Sequence, residues 1–169
     1  MARPVVTYER GSTYISHVSG GKTCCGLVGT LTVGGLAFDT IERFDLTAVP
    51  DFVHLPAGEF ARAVMYWHSA KKRIIHPWAG KAPSQQQENI FVHKGSLPAH
   101  FEGCIGVGFL TRAGSAFELK RADIALEVIW ETVGGVPDQQ EGWNAKSPRV
   151  VLRVTAPFPD RKTLKAHSA

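Results

Sequence analysis

Two adjacent glycines, Gly34 and Gly35, stand between two runs in which apolar residues alternate with small or polar ones. The first run covers residues 27–33 and the second covers residues 36–44. Alternation of this kind is typical of a β-strand with one buried face, and a two-residue glycine turn is a strong hairpin signal between such runs. The sequence therefore predicts a β-hairpin over residues 26–44, and with it a fold that contains antiparallel strands.

Further short apolar runs follow along the chain, each bounded by glycine, proline or polar residues. They lie at residues 59–67, from 74 onwards, at 90–92, from 104 onwards and at 150–154. With the hairpin they give about seven short strands, a pattern that favours a mainly β domain.

One segment has the signals of a helix. Ser115 is followed three residues later by Glu118, which is the capping-box pattern of a helix N-terminus. Apolar residues recur behind it at helical spacing, at Ala122, Leu126, Ile129 and Val133. Two glycines then favour a helix end. The sequence predicts one amphipathic α-helix, over residues 116–133, whose apolar side packs on the sheet.

The chain of 169 residues fits one domain. Residues 1–22 are polar and contain glycines, so we predict an N-terminal arm that packs loosely on the body or on a partner. Residues 156–169 contain prolines and charges with little apolar area to bury, which predicts a frayed C-terminal tail. The β-rich domain itself is expected over residues 23–155.

The formal net charge is +4. Basic residues are scattered and are not interleaved with aromatic ones, so the sequence does not favour a nucleic-acid partner. No apolar run approaches the roughly 20 residues of a membrane helix, so we predict no membrane span. The charged N-terminal segment lacks the apolar stretch of a secretory signal. We therefore expect synthesis in the cytoplasm, and delivery to the cell wall by a virion, lysis or a secretion machine if the protein acts outside.

Three cysteines are present: Cys24, Cys25 and Cys104. An odd number that includes two neighbours does not form a disulfide framework. The CxxC and HExxH spacings of zinc sites are absent, so we predict no metal, and nothing in the sequence indicates a cofactor. We interpret Cys24 and Cys25 as packing residues, because free cysteine is among the most buried residue types.

The candidate site lies within residues 89–108. One apolar run ends on His93, and the next begins at Cys104, directly after Gly103. If these two strands are neighbours in one sheet, the imidazole and the thiol come within hydrogen-bond reach, which is the minimum geometry of an activated cysteine nucleophile. The alternative is that Cys104 serves as a small buried apolar residue.

Four segments, taken in order, resemble a known family. They are F-D-T-I-E-R at 38–43, L-P-A-G-E-F at 55–60, I-F-V-H-K-G-S at 90–96 and E-G-C-I-G-V-G at 102–108. Their order resembles the DUF5675 family, a small uncharacterised family of phage and bacterial proteins. The resemblance spans residues 26–133 and departs from the family pattern at Phe60, where tyrosine is usual, and at Ser96, where asparagine is usual.

The last two segments are also similar to the active site of YkuD-type L,D-transpeptidases, which remodel peptidoglycan through a catalytic cysteine. This resemblance implies a β-sandwich or barrel, a peptidoglycan stem peptide or another peptide as substrate, Cys104 as nucleophile and His93 as base. Amide groups around Gly103 and Cys104 would hold the oxyanion. The match fails at Glu102 and Gly106, where the family has histidine and arginine or asparagine.

Glu102 has two possible roles beside the thiol. Its carboxylate could orient an imidazole, as the third member of a triad does. It could instead raise the pKa of Cys104 by like-charge repulsion and disable the nucleophile.

Four further residues are candidates for substrate binding: Lys94, Ser96, His76 and His100. Lys94 and Ser96 line the site if their loop folds back over it, and the two histidines are also alternative bases. A second hypothesis remains open because fold does not determine function. In it, the protein is a catalytically inactive component of a phage virion or injection apparatus, which contacts other phage proteins or copies of itself.

Overall fold

A computed structural model describes residues 2–47, 52–78 and 83–168, without the side chains of residues 85 and 86. The strands are β1 (Val5–Ser19), β2 (Lys22–Val33), β3 (Leu36–Phe44), β4 (Gly58–His68), β5 (Lys72–His76), β6 (Val92–His93), β7 (Ile105–Ala113), β8 (Ala116–Lys120), β9 (Arg149–Val154) and β10 (Lys165–Ala166). The helices are α1 (Gln85–Glu88) and α2 (Ala122–Thr132), and single 3-10 turns cover Pro98–His100 and Arg161–Thr163. Within these ranges, no helix has the length and apolar character needed to cross a membrane.

Eight strands close into a ring, because β1 pairs with β2 along one edge and with β9 along the other. From β2 the order runs through β3, β7, β6, β5 and β4 to β9. The β6–β7 and β1–β9 pairs are parallel, and the other pairs in the ring are antiparallel. Outside the ring, β8 pairs with β7, and β10 pairs with Thr13 and Tyr14 in the middle of β1. The prediction of a mainly β fold with one amphipathic helix is confirmed, and the closed sheet corresponds to the barrel form.

The largest apolar cluster combines residues of the ring with one side of α2. The helix contributes Leu126 and Ile129, which are 1% and 0% exposed, together with Trp130. Full burial of a side chain of this size stabilises a fold by about 1.5–3 kcal/mol. The helix is therefore held on the sheet by its apolar stripe, as the spacing of these residues predicts.

The strands β2 and β3 form the predicted hairpin, with Val33 opposite Leu36. Gly34 and Gly35 have φ values of +55° and +79°, which is the region that a two-residue turn of this type requires. Because β2 begins at Lys22, Cys24 and Cys25 lie within the strand, where both are buried free thiols. Burial of both thiols agrees with their interpretation as packing residues, and Cys25 lies in an apolar cluster with Leu27 and Phe44.

The predicted start of the helix is wrong. Residues 116–120 form β8, which pairs with β7 and buries Leu119. The helix begins at Ala122, after Arg121, whose φ is +53°. A capping box is a local signal of modest strength, and the hydrogen bonds of the hairpin together with burial of Leu119 outweigh it.

The prediction of loosely packed terminal segments is also wrong. β1 pairs with three other strands, and its Val6 and Tyr8 are 0% exposed. The next position on this face is Arg10, a charge that hides the alternation in the sequence. Near the other end, Phe158 and Leu164 pack against a buried apolar cluster, and β10 pairs with β1. Strand pairing and apolar contacts therefore hold both segments on the body.

A buried charged network explains why an arginine occupies the face of β1 that packs inward. Arg10 donates from Nε and Nη2 to the Glu42 carboxylate, at 2.9 Å in each case, and both side chains are at most 1% exposed. Tyr8 donates its hydroxyl to the same carboxylate at 2.5 Å, and His54 Nδ1 lies 3.1 Å from it. Burial alone would raise the pKa of Glu42, but the hydrogen bonds and the charge of Arg10 lower it to about 2. The ionised carboxylate thus ties β1 to β3.

Candidate functional site

The parallel pair β6–β7 places His93 and Cys104 on one face of the sheet. Val92 lies opposite Ile105, and His93 lies opposite Gly106. Paired residues of neighbouring strands project to the same face, and side chains two residues apart along a strand share that face. Cys104 precedes Gly106 by two residues, so the imidazole and the thiol are diagonal neighbours, as expected of adjoining strands.

Phe101 packs into the space beside this pair. It is 0% exposed, and its ring centroid lies 5.0 Å from that of His93. A Cβ atom at Gly106 would overlap the Phe101 ring, so the glycine makes room for the aromatic side chain. Gly103 has a φ of +84°, which favours glycine, and a Cβ there would lie 2.7 Å from the Val53 carbonyl oxygen. The two glycines thus shape the entry of the chain into β7.

His93 is buried with one nitrogen bonded and the other free. Nδ1 lies 2.7 Å from the carbonyl oxygen of Lys94, which can only accept, so Nδ1 bears the proton. Nε2 is therefore a lone-pair acceptor, and it has no hydrogen-bond partner among the described residues. Burial, assisted by the positive charge of Lys71, lowers the pKa of His93 to about 4. The imidazole is neutral near neutral pH and has the tautomer that a general base needs.

The thiol of Cys104 is held between two backbone groups. Its Sγ accepts a hydrogen bond from the Phe91 amide and donates one to the Asn89 carbonyl, both at 3.4 Å. The residue is 4% exposed, and burial is the main cause that raises the pKa of Cys104. No hydrogen bond joins Sγ to His93 in the described chain. The resting thiol is therefore protonated and points to Asn89, and the Cys–His hydrogen bond of the sequence hypothesis is not formed.

A cleft of about 410 Å³ opens over the thiol. Its walls are His68, Lys71, Asn89, Phe91, Ala99, His100, Glu102 and Cys104. A ligand can therefore approach the sulfur from one side although most of the residue is covered.

Glu102 stands at the rim of this cleft. Its side chain is 78% exposed and lies 3.7 Å from Arg43 Nη1. Its negative charge adds to the rise in the pKa of Cys104 that burial causes. Of the two roles considered for Glu102, the structure shows this opposing charge, and the described residues include no hydrogen bond from Glu102 to an imidazole.

The four candidates for substrate binding fall into two groups. Lys94, Ser96 and His100 line a second cleft of about 430 Å³, and His100 also lines the cleft over Cys104. His76 lies outside both lining sets: its Nε2 donates to the Glu88 carbonyl and its Nδ1 accepts from the Tyr66 hydroxyl, each at 3.1 Å. His76 therefore links β5 to Glu88, the last residue of α1, and its ring packs edge-on against Phe91, a wall of the thiol cleft, at a centroid distance of 4.8 Å.

Five residues that line the thiol cleft were not among the predicted site residues: His68, Lys71, Asn89, Phe91 and Ala99. His68 is the last residue of β4, and Lys71 lies in the turn between β4 and β5. His68 has the sequence signal of an ordinary surface residue, and Lys71 that of a charged turn. Only the strand order β7–β6–β5–β4 brings them to Cys104.

Comparison with protein-family models, with curated proteins and with solved structures found no match to this chain. In the part of the chain that the structure describes, no group of three or more histidine, cysteine or carboxylate side chains is placed to hold a metal ion.

Proposed function

We propose that the protein is a cysteine-dependent acyl-transferase or peptidase whose substrate is a peptidoglycan stem peptide or a similar peptide. Cys104 is the nucleophile and His93 is the base. One observation supports this assignment above the others: Nε2 of His93 is buried without a partner, on the same sheet face as a thiol that lines a cleft. An unsatisfied buried acceptor costs about 1–3 kcal/mol, and such a group in a native structure often has a catalytic role.

The proposed reaction begins with rotation of the Cys104 side chain away from Asn89. Sγ then gives its proton to Nε2 of His93 and attacks the substrate carbonyl, and the collapse of the tetrahedral adduct expels an amine that takes this proton from His93. The product is a thioester on Cys104. Water or an acceptor amine next loses a proton to Nε2 and attacks the thioester, and the released thiolate recovers that proton. The amides of Gly103 and Cys104 are the donors that we assign to the oxyanion.

The first proton transfer is the demanding step. Burial raises the pKa of Cys104 and lowers that of His93 to about 4, so the two pKa values are moved apart. Proton transfer from the thiol to the imidazole is therefore uphill in the free protein, although the attraction between the thiolate and the imidazolium offsets part of this cost. The free protein therefore has a weak nucleophile, and a bound substrate must supply the missing stabilisation. Catalytic contacts that are loose in a free enzyme often tighten in the substrate complex.

Digestion of purified peptidoglycan fragments, with product analysis by mass spectrometry, tests the proposal. We expect Cys104→Ala to abolish turnover and His93→Gln to reduce it by about 10²–10⁴-fold, which is the usual contribution of a general base. His68→Gln and His100→Gln are matched controls, because both imidazoles line the cleft. Turnover that survives Cys104→Ala, or that depends on His100 and not on His93, would contradict the assignment.

A second candidate function is a structural role without catalysis, as a component of a phage virion or injection apparatus. The two backbone hydrogen bonds and the raised pKa of Cys104 favour it, because both are typical of an inert packing thiol. Cross-linking and imaging of assembled particles test this function, and peptide turnover that depends on Cys104 would exclude it.

A further inference from the structure

The second cleft is positively charged. Three cationic side chains line it, Lys94, Lys120 and Arg121, against the single carboxylate of Asp123. Lys120 is already paired, since its Nζ lies 2.6 Å from Glu118 Oε1. The cleft has a volume of about 430 Å³, which is enough for a small ligand group rather than for water alone.

Two of these cations have no partner in the described chain. The side chains of Lys94 and Arg121 take part in no hydrogen bond and no ion pair there, whereas Arg73, Arg10 and Arg153 are each paired with a glutamate. The Asp123 carboxylate lowers the positive potential of the cleft but does not cancel two free cations. A guanidinium and an ammonium that face one cavity are suited to a carboxylate or a phosphate.

The charged cleft is joined to the thiol cleft in two ways. His100 lines both, so a ligand that extends across this imidazole would reach from one cleft to the other. In addition, the Lys94 carbonyl accepts the hydrogen bond that fixes the tautomer of His93. A group bound by the Lys94 side chain therefore sits next to the segment that orients the base.

We infer that this cleft is an anion subsite, which binds a carboxylate or phosphate of the molecule whose carbonyl Cys104 attacks. The inference rests on the proposed function and adds the class of substrate: one with an anionic group close to the scissile bond. Lys94 and Arg121 are binding residues in this scheme, and His100 separates the bound anion from the reacting carbonyl.

Binding can be measured without turnover, in the full chain with Cys104→Ala. The isotope-labelled protein is titrated with inorganic phosphate, with N-acetylglutamate and with its uncharged counterpart N-acetylglutamine, and NMR follows the amides of residues 94–96 and 119–123. We expect both anions to shift these amides and the neutral compound to leave them unchanged. Tighter binding of N-acetylglutamate would indicate an acidic peptide as the source, and tighter binding of phosphate would indicate a phosphate-bearing wall polymer.

Lys94→Gln and Arg121→Gln should each weaken binding by up to about fivefold, the effect of removing one exposed ion pair. Lys146→Gln is the control, since Lys146 is an exposed lysine outside the lining of this cleft. Absence of shifts, or equal affinity in Arg121→Gln, would overturn the subsite even if peptide turnover depends on Cys104. Anion binding without any peptide turnover would support an anion site and overturn the enzyme proposal, so the two failures are distinguishable.

Discussion

The protonation state of Cys104 leads to a sharp prediction for its alkylation. Burial raises the pKa of this thiol above that of an ordinary cysteine, so only a small fraction is thiolate at pH 7. Iodoacetamide reacts with the thiolate, so the rate should rise about tenfold per pH unit and still be rising at pH 9. His93→Gln should leave this profile unchanged in the free protein, because no hydrogen bond joins the two side chains in the described structure.

The assay is mass spectrometric mapping of the alkylated peptides, which separates Cys104 from the other two thiols. Cys25 is an internal comparison: burial raises its pKa to about 11, so its alkylation rate should also still be rising at pH 9. A rate that levels off below pH 8, and falls in His93→Gln, would show a thiolate–imidazolium pair in the free protein. That result would refute a resting thiol that is protonated and bonded only to the backbone.

Three further predictions concern stability. His93 has a folded pKa of about 4 against an ordinary 6.5, so the unfolded chain binds more protons between these values. Stability should fall by up to about 3 kcal/mol as pH drops through this window, and denaturant titration of His93→Gln should remove that part of the slope while His100→Gln retains it. Glu42→Gln leaves the Arg10 charge buried and unpaired, and should cost about 3–5 kcal/mol in thermal or denaturant unfolding. Gly106→Ala forces a Cβ into the Phe101 ring and should cost about 1–3 kcal/mol, with faster alkylation of Cys104 as the ring moves.

Matched control variants separate these specific effects from non-specific loss of stability. Glu59→Gln breaks an exposed ion pair with Arg153, so its effect should stay below about 1 kcal/mol. Gly142→Ala adds a Cβ to a position with no atom within 4 Å, so it should be nearly neutral. A Glu42→Gln variant as stable as Glu59→Gln would contradict the role of the buried ion pair. Equal melting temperatures for the two glycine variants would contradict the close packing of Gly106 against Phe101.

The sequence predicts those features whose cause is local. Gly34 and Gly35 specify their hairpin because the turn and both strands are adjacent in the chain. His93 ends β6 and Cys104 directly precedes β7, and these two strands are neighbours, as expected, because a short connection separates them. In both cases the pairing partner is close in sequence, and the residue pattern is sufficient.

Features that depend on distant partners were not predictable. The sequence assigns Arg10 to a loosely packed N-terminal arm because the carboxylate that neutralises it, Glu42, lies 32 positions away. The capping box at Ser115 predicts a helix, because the residues around it carry no signal that residues 116–120 pair with β7. Likewise, the joining of the two clefts at His100 needs both the strand order and the position of α2.

The closing strand pair has a consequence for how the chain can mature. Residues Val5 to Tyr8 of β1 pair in parallel with Val151 to Val154 of β9. The first strand therefore cannot complete its hydrogen bonding until β9, the last strand but one, has been synthesised. A nascent chain on the ribosome cannot complete the ring before residue 154 has emerged, and contacts of such high sequence separation are typical of slow folding. Until then, β1 exposes an edge that can pair with other unfinished chains, so yield on expression should depend on chaperone supply and on low temperature.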